Sequence, residues 1–237
     1  MLPAGGASAP VEAVSVRFLK SALHIVYSSY CPFCGRLGEP VCTGCLAGLM
    51  FTLPMFCLMC GEALPCARHG NAPPCRAASI YEGGNRDAIR IMKYENGRSI
   101  ATAMGYLLAG RFARPEADCL VPVPLHKGSE RDYNQAKLIA VSAGKTWQIP
   151  VRDLLRWNLD VPRQVKTRDT RKRTLPPGAI STDGRIPAGL SAFLIDDVFT
   201  TGNTLRAARD ALVESGASVC GAAVWSRSRV SSTGLGG

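Results

Sequence analysis

Two adjacent carboxylates, Asp196 and Asp197, are followed within eight residues by Thr200, Thr201, Gly202, Asn203 and Thr204. Ahead of the acids runs a short apolar stretch, Ala192 to Ile195, whose length suits a strand buried on both faces. Behind the small residues, Leu205, Ala208, Leu212 and Val213 fall on one helical face, and Gly216 supplies the stop. Strand, acidic pair, tight turn and helix start together make an anion cradle. Free backbone N–H groups of a first helical turn point at the ligand, and the helix dipole favours negative charge there. Thr200, Thr201 and Thr204 add hydroxyl donors, and Gly202 lets the backbone approach closely. A bare phosphate would be repelled by the two acids. A sugar phosphate would not, because carboxylates accept hydrogen bonds from two neighbouring ribose hydroxyls. A capped helix after a strand explains any one of these residues, but not the whole pattern from Phe193 to Leu205.

The second set of chemistry-bearing residues is cysteine. Cys31 and Cys34, then Cys42 and Cys45, form two Cys-x-x-Cys knuckles separated by seven residues. Four thiolates so spaced can surround one tetrahedral zinc ion. A redox dithiol occurs once, at a strand-to-helix junction, whereas these pairs repeat in a Gly/Pro-rich stretch too poor in apolar residues to fold unaided. A second array follows, with Cys57 and Cys60 as one knuckle and Cys66 with His69 as the other half; Cys75 is the alternative fourth ligand. The spacing favours His69. Of the two arrays this one has the weaker claim to an ion. Cys119 and Cys220 read as small core residues.

The elements that must position these groups follow from the remaining pattern. Ile100 to Phe112 is an amphipathic helix, and Asp118 to Val121 is a strand that Pro122 and Pro124 end, leaving a shaped loop. A helix begins near Gln135, and Ser218 to Trp225 reads as a last strand. The segment Arg163 to Arg173 carries six basic residues and one acid, the composition of a solvated loop.

The chain has 237 residues and a formal net charge of +10, which points to anionic partners. Residues 1–80 contribute five basic and three acidic side chains; the other 23 and 15 lie beyond. The start lacks a basic n-region and contains Glu12, so no signal peptide is expected. No apolar run is long enough to span a membrane, and the expected location is cytoplasmic, where ten cysteines argue for metal rather than disulfides.

The Ala192–Leu205 stretch resembles the phosphoribosyl-pyrophosphate (PRPP) motif of type I phosphoribosyltransferases. With the cysteine knuckles, Lys93-Tyr94, Val121-Pro-Val-Pro-Leu125 and Arg131-Asp-Tyr-Asn-Gln135, the order of motifs resembles the ComF/GntX family over roughly residues 28–226. The resemblance implies an α/β fold with a mostly parallel sheet, preceded by a small zinc ribbon domain. It divides the chain into a leader (1–27), a double zinc ribbon (28–77), a phosphoribosyltransferase-like domain (78–227) and a Ser/Gly-rich tail (228–237).

It further implies roles. Asp196 and Asp197 would hold the ribose hydroxyls, and Thr200, Thr201, Gly202, Asn203 and Thr204 the 5-phosphate. Val123, Pro124, Leu125, His126 and Arg131 would meet pyrophosphate. Arg163, Gln164, Lys166, Arg168, Arg171, Lys172 and Arg173 would form a mobile basic loop closing over it. Zn2+ would be structural and Mg2+ would accompany PRPP. The family name implies a role in DNA uptake during transformation, with single-stranded DNA and other competence proteins as partners. Two departures stand out: Asp132 replaces the family's glycine, and the Thr and Asn expected in the basic segment are not clear. A transferase and a nucleic-acid-binding module that senses PRPP without chemistry both fit, and no hood-like segment names an acceptor.

Overall fold

The computed structural model describes residues 30–51, 53–95, 97–126, 129, 131–158 and 175–229. The leader, Lys127, the seven residues assigned to the basic loop and all but the first two residues of the tail lie outside them. Two compact units divide after Cys42. In the first, Cys31 opens a knuckle whose turn is closed by Gly35 N–H donating to the Cys31 carbonyl at 2.8 Å and Cys31 N–H to the Arg36 carbonyl at 2.8 Å.

The second unit opens with helix α1 (Thr43–Gly48) and strand β1 (Phe56–Cys57), followed by β2 (Pro74–Ile80), α2 (Gly83–Tyr94), α3 (Arg98–Arg111), β3 (Cys119–Pro122) and α4 (Gln135–Trp147). Then come β4 (Leu155–Trp157), β5 (Ile180–Thr182), β6 (Ser191–Phe199), α5 (Asn203–Glu214) and β7 (Ser218–Arg227). The main sheet has the order β1-β2-β7-β6-β3, with β2, β7, β6 and β3 parallel and β1 antiparallel at the edge. A separate antiparallel hairpin pairs β4 with β5. The composition change near residue 78 therefore falls inside β2, whose register with β7 runs from Cys75 opposite Ala222 to Ile80 opposite Arg227.

Leu194 of β6 shares a core with Leu205, Ala208 and Leu212 of α5. Its neighbour Phe193 meets the Trp147 ring of α4 edge-on at 6.2 Å, as the alternation of a strand demands. Both strand faces are thus covered, which explains why the run reads as continuously apolar. Helices α3 and α4 can lie this close because Gly105 has no side chain: a Cβ there would stand 2.3 Å from the Ile139 carbonyl oxygen. The indole of Trp225, in β7, donates to Asn85 of α2 at 3.0 Å, and Asn85 donates to the Leu49 carbonyl at 2.9 Å. These bonds seat α2 against the sheet with its last turn at the carboxyl ends of the strands.

Candidate functional site

The acids lie within β6, not beyond its end. On one side β7 pairs with β6 as far as Phe199, while on the other β3 pairs only with Ala192 to Ile195. The reason lies in the Val-Pro-Val-Pro sequence. Val123 N–H still donates to the Ile195 carbonyl at 2.9 Å, but Pro122 and Pro124 have no N–H to give, and the ladder stops. From Asp196 onward β6 has no strand partner on that side among the described residues, and this is the carboxyl end of a parallel sheet, where ligands of such folds bind.

Asp197 is buried and forms an ion pair with Lys93, Nζ to Oδ2 2.6 Å, with side chains only 19% and 12% exposed. Burial works against the Lys93 charge, but Asp197 and, further off, Asp196 outweigh it and hold the ammonium above its ordinary range. Asp196 is half-buried, and its Oδ1 accepts from the Asp197 N–H at 2.8 Å. Burial first, and the neighbouring Asp197 charge second, push the Asp196 carboxyl up to about 7 despite the opposing charges of Lys93 and Arg131. The two acids are therefore unequal: one is neutralised by an internal cation, the other shares its proton with solvent near neutral pH.

The loop after β6 turns at Gly202, which caps α5 in the left-handed region with φ 75°. A Cβ at this position would stand 2.6 Å from the Phe199 ring, so glycine is required twice over. The N-cap is itself glycine, so no N-cap side chain bonds the first turn of the helix. Thr200 is exposed; Thr201, Asn203 and Thr204 are half-buried around the same turn.

Asn134 holds the loop that follows β3. Its Nδ2 donates to the Val123 carbonyl at 2.9 Å while its Oδ1 caps α4 by accepting from Lys137 N–H at 3.2 Å. Trp157 donates to the Pro124 carbonyl at 2.7 Å, and its ring lies 4.9 Å from that of His126. Val123 is buried, whereas Pro124, Leu125 and His126 keep partial exposure. Arg131 donates to Gln135 Oε1 at 3.0 Å and lies 5.9 Å over the Tyr94 ring; its charge reaches both Lys93 and Asp196. The buried Nε2 of Gln135 has no hydrogen-bond partner among the described residues. Asp132 points away from this cluster: its carboxylate pairs with Arg98 at 2.9 Å, both side chains well exposed.

The structure thus joins Asp196, Asp197, Arg131 and the start of α5, and adds Lys93, whose only signal in the sequence was the Lys-Tyr step. The hydroxyl of Tyr133 donates to the Met92 carbonyl and fastens the turn that carries Lys93. Trp157 was also missed; no periodicity marks a strand of three residues. Arg163, Gln164, Lys166, Arg168, Arg171, Lys172 and Arg173 lie in the connection between β4 and β5, outside the described residues.

Cys31, Cys34, Cys42 and Cys45 form one group of ligand atoms lying within 4.8 Å of one another, and Cys57, Cys60, Cys66 and His69 form another. Within the second, Cys60 and Cys66 sulfurs are 3.5 Å apart, and His69 Nδ1 lies 3.7 Å from Cys57 and 3.5 Å from Cys66. Ligands at the ordinary zinc distances would stand about 3.4–3.8 Å apart at the corners of a tetrahedron, so the donor set fits. Cys75 belongs to β2, fully buried, its sulfur directed toward the Arg76 carbonyl. Among the described residues no helix is long and apolar enough to cross a membrane.

No family model matches the chain. It is 28% identical over 199 residues to Competence protein ComFC of Bacillus subtilis strain 168, covering 75% of this chain and 80% of that one. It is 25% identical over 185 residues to Competence protein ComFC of Streptococcus pneumoniae R6, covering 77% and 78%. Among solved structures it is similar to adenine phosphoribosyltransferase from Leishmania donovani, with a TM-score of 0.38 and 13% identity over 82% of this chain and 86% of that one.

Proposed function

We propose, on the premise that this chain is a homologue of the ComFC competence proteins, that it binds PRPP with Mg2+ as a phosphoribosyltransferase-like protein of the competence machinery. The observation that carries the reading is the end of β6, which no described strand pairs on the β3 side. There a half-buried acid, a lysine-paired acid and a glycine-capped helix start at Gly202 follow one another within seven residues. The 5-phosphate would lie on the first-turn N–H groups of α5 with the hydroxyls of Thr200, Thr201 and Thr204. The ribose hydroxyls would donate to Asp196 and Asp197. The pyrophosphate would face the Val123–His126 loop and Arg131. Mg2+ would supply charge neutralisation between the pyrophosphate and the sugar hydroxyls at the two acids.

Lys93 keeps the acid pair ready. Without a cation, two carboxylates this close resist joint ionisation; with it, Asp197 is paired with an internal charge, while Asp196 can release a proton as the ligand arrives. Trp157 ties the strand entering the basic segment to the Pro124 carbonyl, so closure of that segment over pyrophosphate and the shape of the pyrophosphate loop would be linked. Any transfer would draw on charge stabilisation of the leaving pyrophosphate by Arg131 and the basic residues.

The net charge of +10 and the Arg163–Arg173 run favour a second ligand, a nucleic acid backbone met electrostatically. Both metal groups would carry structural Zn2+, and the segment 28–77 would act as a zinc ribbon joined to the sheet through β1 and β2. The test is a titration with PRPP–Mg2+ and with single-stranded DNA, separately and in competition. One-to-one PRPP binding, with DNA displaced from the basic segment, supports the reading. A protein that binds DNA and never PRPP refutes the ribose-phosphate assignment.

A further inference from the structure

The second cysteine group lies directly beneath the phosphate cradle. Its knuckle, Cys57-Leu58-Met59-Cys60-Gly61, touches the loop after β6 and the helix start at several points. Arg206, in the first turn of α5, donates from Nη1 to the Met59 carbonyl at 3.0 Å and from Nη2 to the Asn203 side chain. Arg227, the last residue of β7, donates to the Gly61 carbonyl at 2.9 Å and lies 4.0 Å over the Phe56 ring. Phe56 meets Phe199 edge-on at 4.8 Å, and Phe199 fills the space against Gly202. The Leu58 carbonyl oxygen would be 3.4 Å from a Cβ on Gly202. Phe56, Cys57 and Leu58 are fully buried.

The knuckle has little regular structure of its own, although Leu58 N–H donates to the Pro73 carbonyl at 3.0 Å. Strand β1 has two residues. Within the turn, Gly61 N–H donates to the Cys57 carbonyl and Cys57 N–H to the Glu62 carbonyl, each at 2.8 Å. The two carbonyls that receive the arginines, Met59 and Gly61, flank the ligand Cys60. A tetrahedral ion on Cys57 and Cys60 would set the direction of both.

We infer that the second metal group positions the ribose-phosphate cradle. Zinc on Cys57, Cys60, Cys66 and His69 holds the Met59 and Gly61 carbonyls where Arg206 and Arg227 seat on them, and Arg206 passes that placement to Asn203 and the first turn of α5. The inference rests on the reading that this turn takes the 5-phosphate. Arg206 is then a positioning residue, distant from the reacting atoms, and metal loss by chelation or thiol oxidation would lower PRPP affinity without touching a ligand contact. Zinc-thiolate sites release their ion when thiols are oxidised or protonated, so the device would make PRPP binding sensitive to redox state.

The experiment uses full-length, zinc-replete protein and three readouts: zinc content, amide hydrogen exchange of the 199–206 peptide, and PRPP–Mg2+ titration. Arg206→Met should keep its zinc, exchange faster at 199–206 with α4 unchanged, and bind PRPP about tenfold more weakly, as expected for loss of a charged hydrogen bond. Arg206→Lys, which keeps one donor, should recover part of both effects. Cys66→Ser should lose the second zinc and show the same local change in exchange. Unchanged exchange at 199–206 in zinc-replete Arg206→Met overturns the inference, whether or not Cys66→Ser folds. If the wild-type chain does not bind PRPP, the ribose-phosphate reading fails, and the exchange measurement still decides the coupling.

Discussion

Replacing Asp196 by Asn should make the protein more stable and weaken its hold on the ligand. In the folded chain the Asp196 carboxyl stands at about 7 against an ordinary 3.8, because burial and the Asp197 charge disfavour its ionised form. The folded state therefore binds more protons than the unfolded chain between these two values. Wild-type stability falls as pH rises through this window and levels off above it. At full strength a displacement of this size is worth about 4 kcal/mol. Solvent reaches the half-buried carboxylate and screens part of it, leaving about 2 kcal/mol. Asparagine cannot ionise, so Asp196→Asn should gain that amount at pH 8 and almost nothing near pH 4. For a chain of this size the gain corresponds to a rise in Tm of about 4–8 °C. Thermal unfolding followed by circular dichroism at pH 4.5 and pH 8 is the assay. A variant whose Tm at pH 8 is unchanged or lower, or whose gain is the same at both pH values, would refute the reasoning, since the cost would not come from ionisation of Asp196.

Lys93→Met should have the opposite effect on stability: it leaves buried Asp197 without its cation, at a cost of about 3–5 kcal/mol at neutral pH, recovered in part as acid protonates the pair, as denaturant titration would show. The stability that the Lys93 charge provides is present at neutral pH and is lost only in alkali as pH rises through its raised value, which an alkaline unfolding series would reveal. Gly202→Ala places a methyl group against Phe199 and strains a positive φ; it should cost about 2 kcal/mol in denaturant unfolding and abolish PRPP binding in the same preparation. Neutralising Arg171, Lys172 and Arg173 together should flatten the salt dependence of single-stranded DNA affinity equally for every sequence tested; an unchanged slope would move the DNA contact elsewhere.

The strand, turn and helix around the acids were legible because they are contiguous. Apolar strand, acids, small residues and helix follow one another in the order in which the backbone uses them, and the proline pair announced where β3 would stop. The cysteine groups were legible because knuckle spacing is a local constraint, and the geometry brought His69 rather than Cys75 to the second group. What the sequence hid depends on distant segments. Lys93 reaches Asp197 from a helix more than a hundred residues earlier, and its neighbours Tyr94 and Met92 gave no sign of a partner. Strand β1 is too short for a period, so nothing showed that the knuckle after it would join the main sheet and lie against Gly202. The difference between the acids was equally hidden: adjacent in sequence, Asp196 and Asp197 differ only in what the fold sets beside them. The hairpin of β4 and β5 was obscured because its strands are three residues each and are separated by the basic segment.

The central proposal is that the acids at the end of β6 hold the ribose of PRPP. Calorimetric titration of the wild-type chain and of Asp196→Asn with PRPP in the presence of Mg2+ tests it most directly. The account predicts a single site in the wild type and a loss of affinity of at least tenfold in the variant, the cost of a charged hydrogen bond to a sugar hydroxyl, although the variant is the more stable protein at the same pH. Equal affinity in the two proteins, or no binding to the wild type, would contradict it.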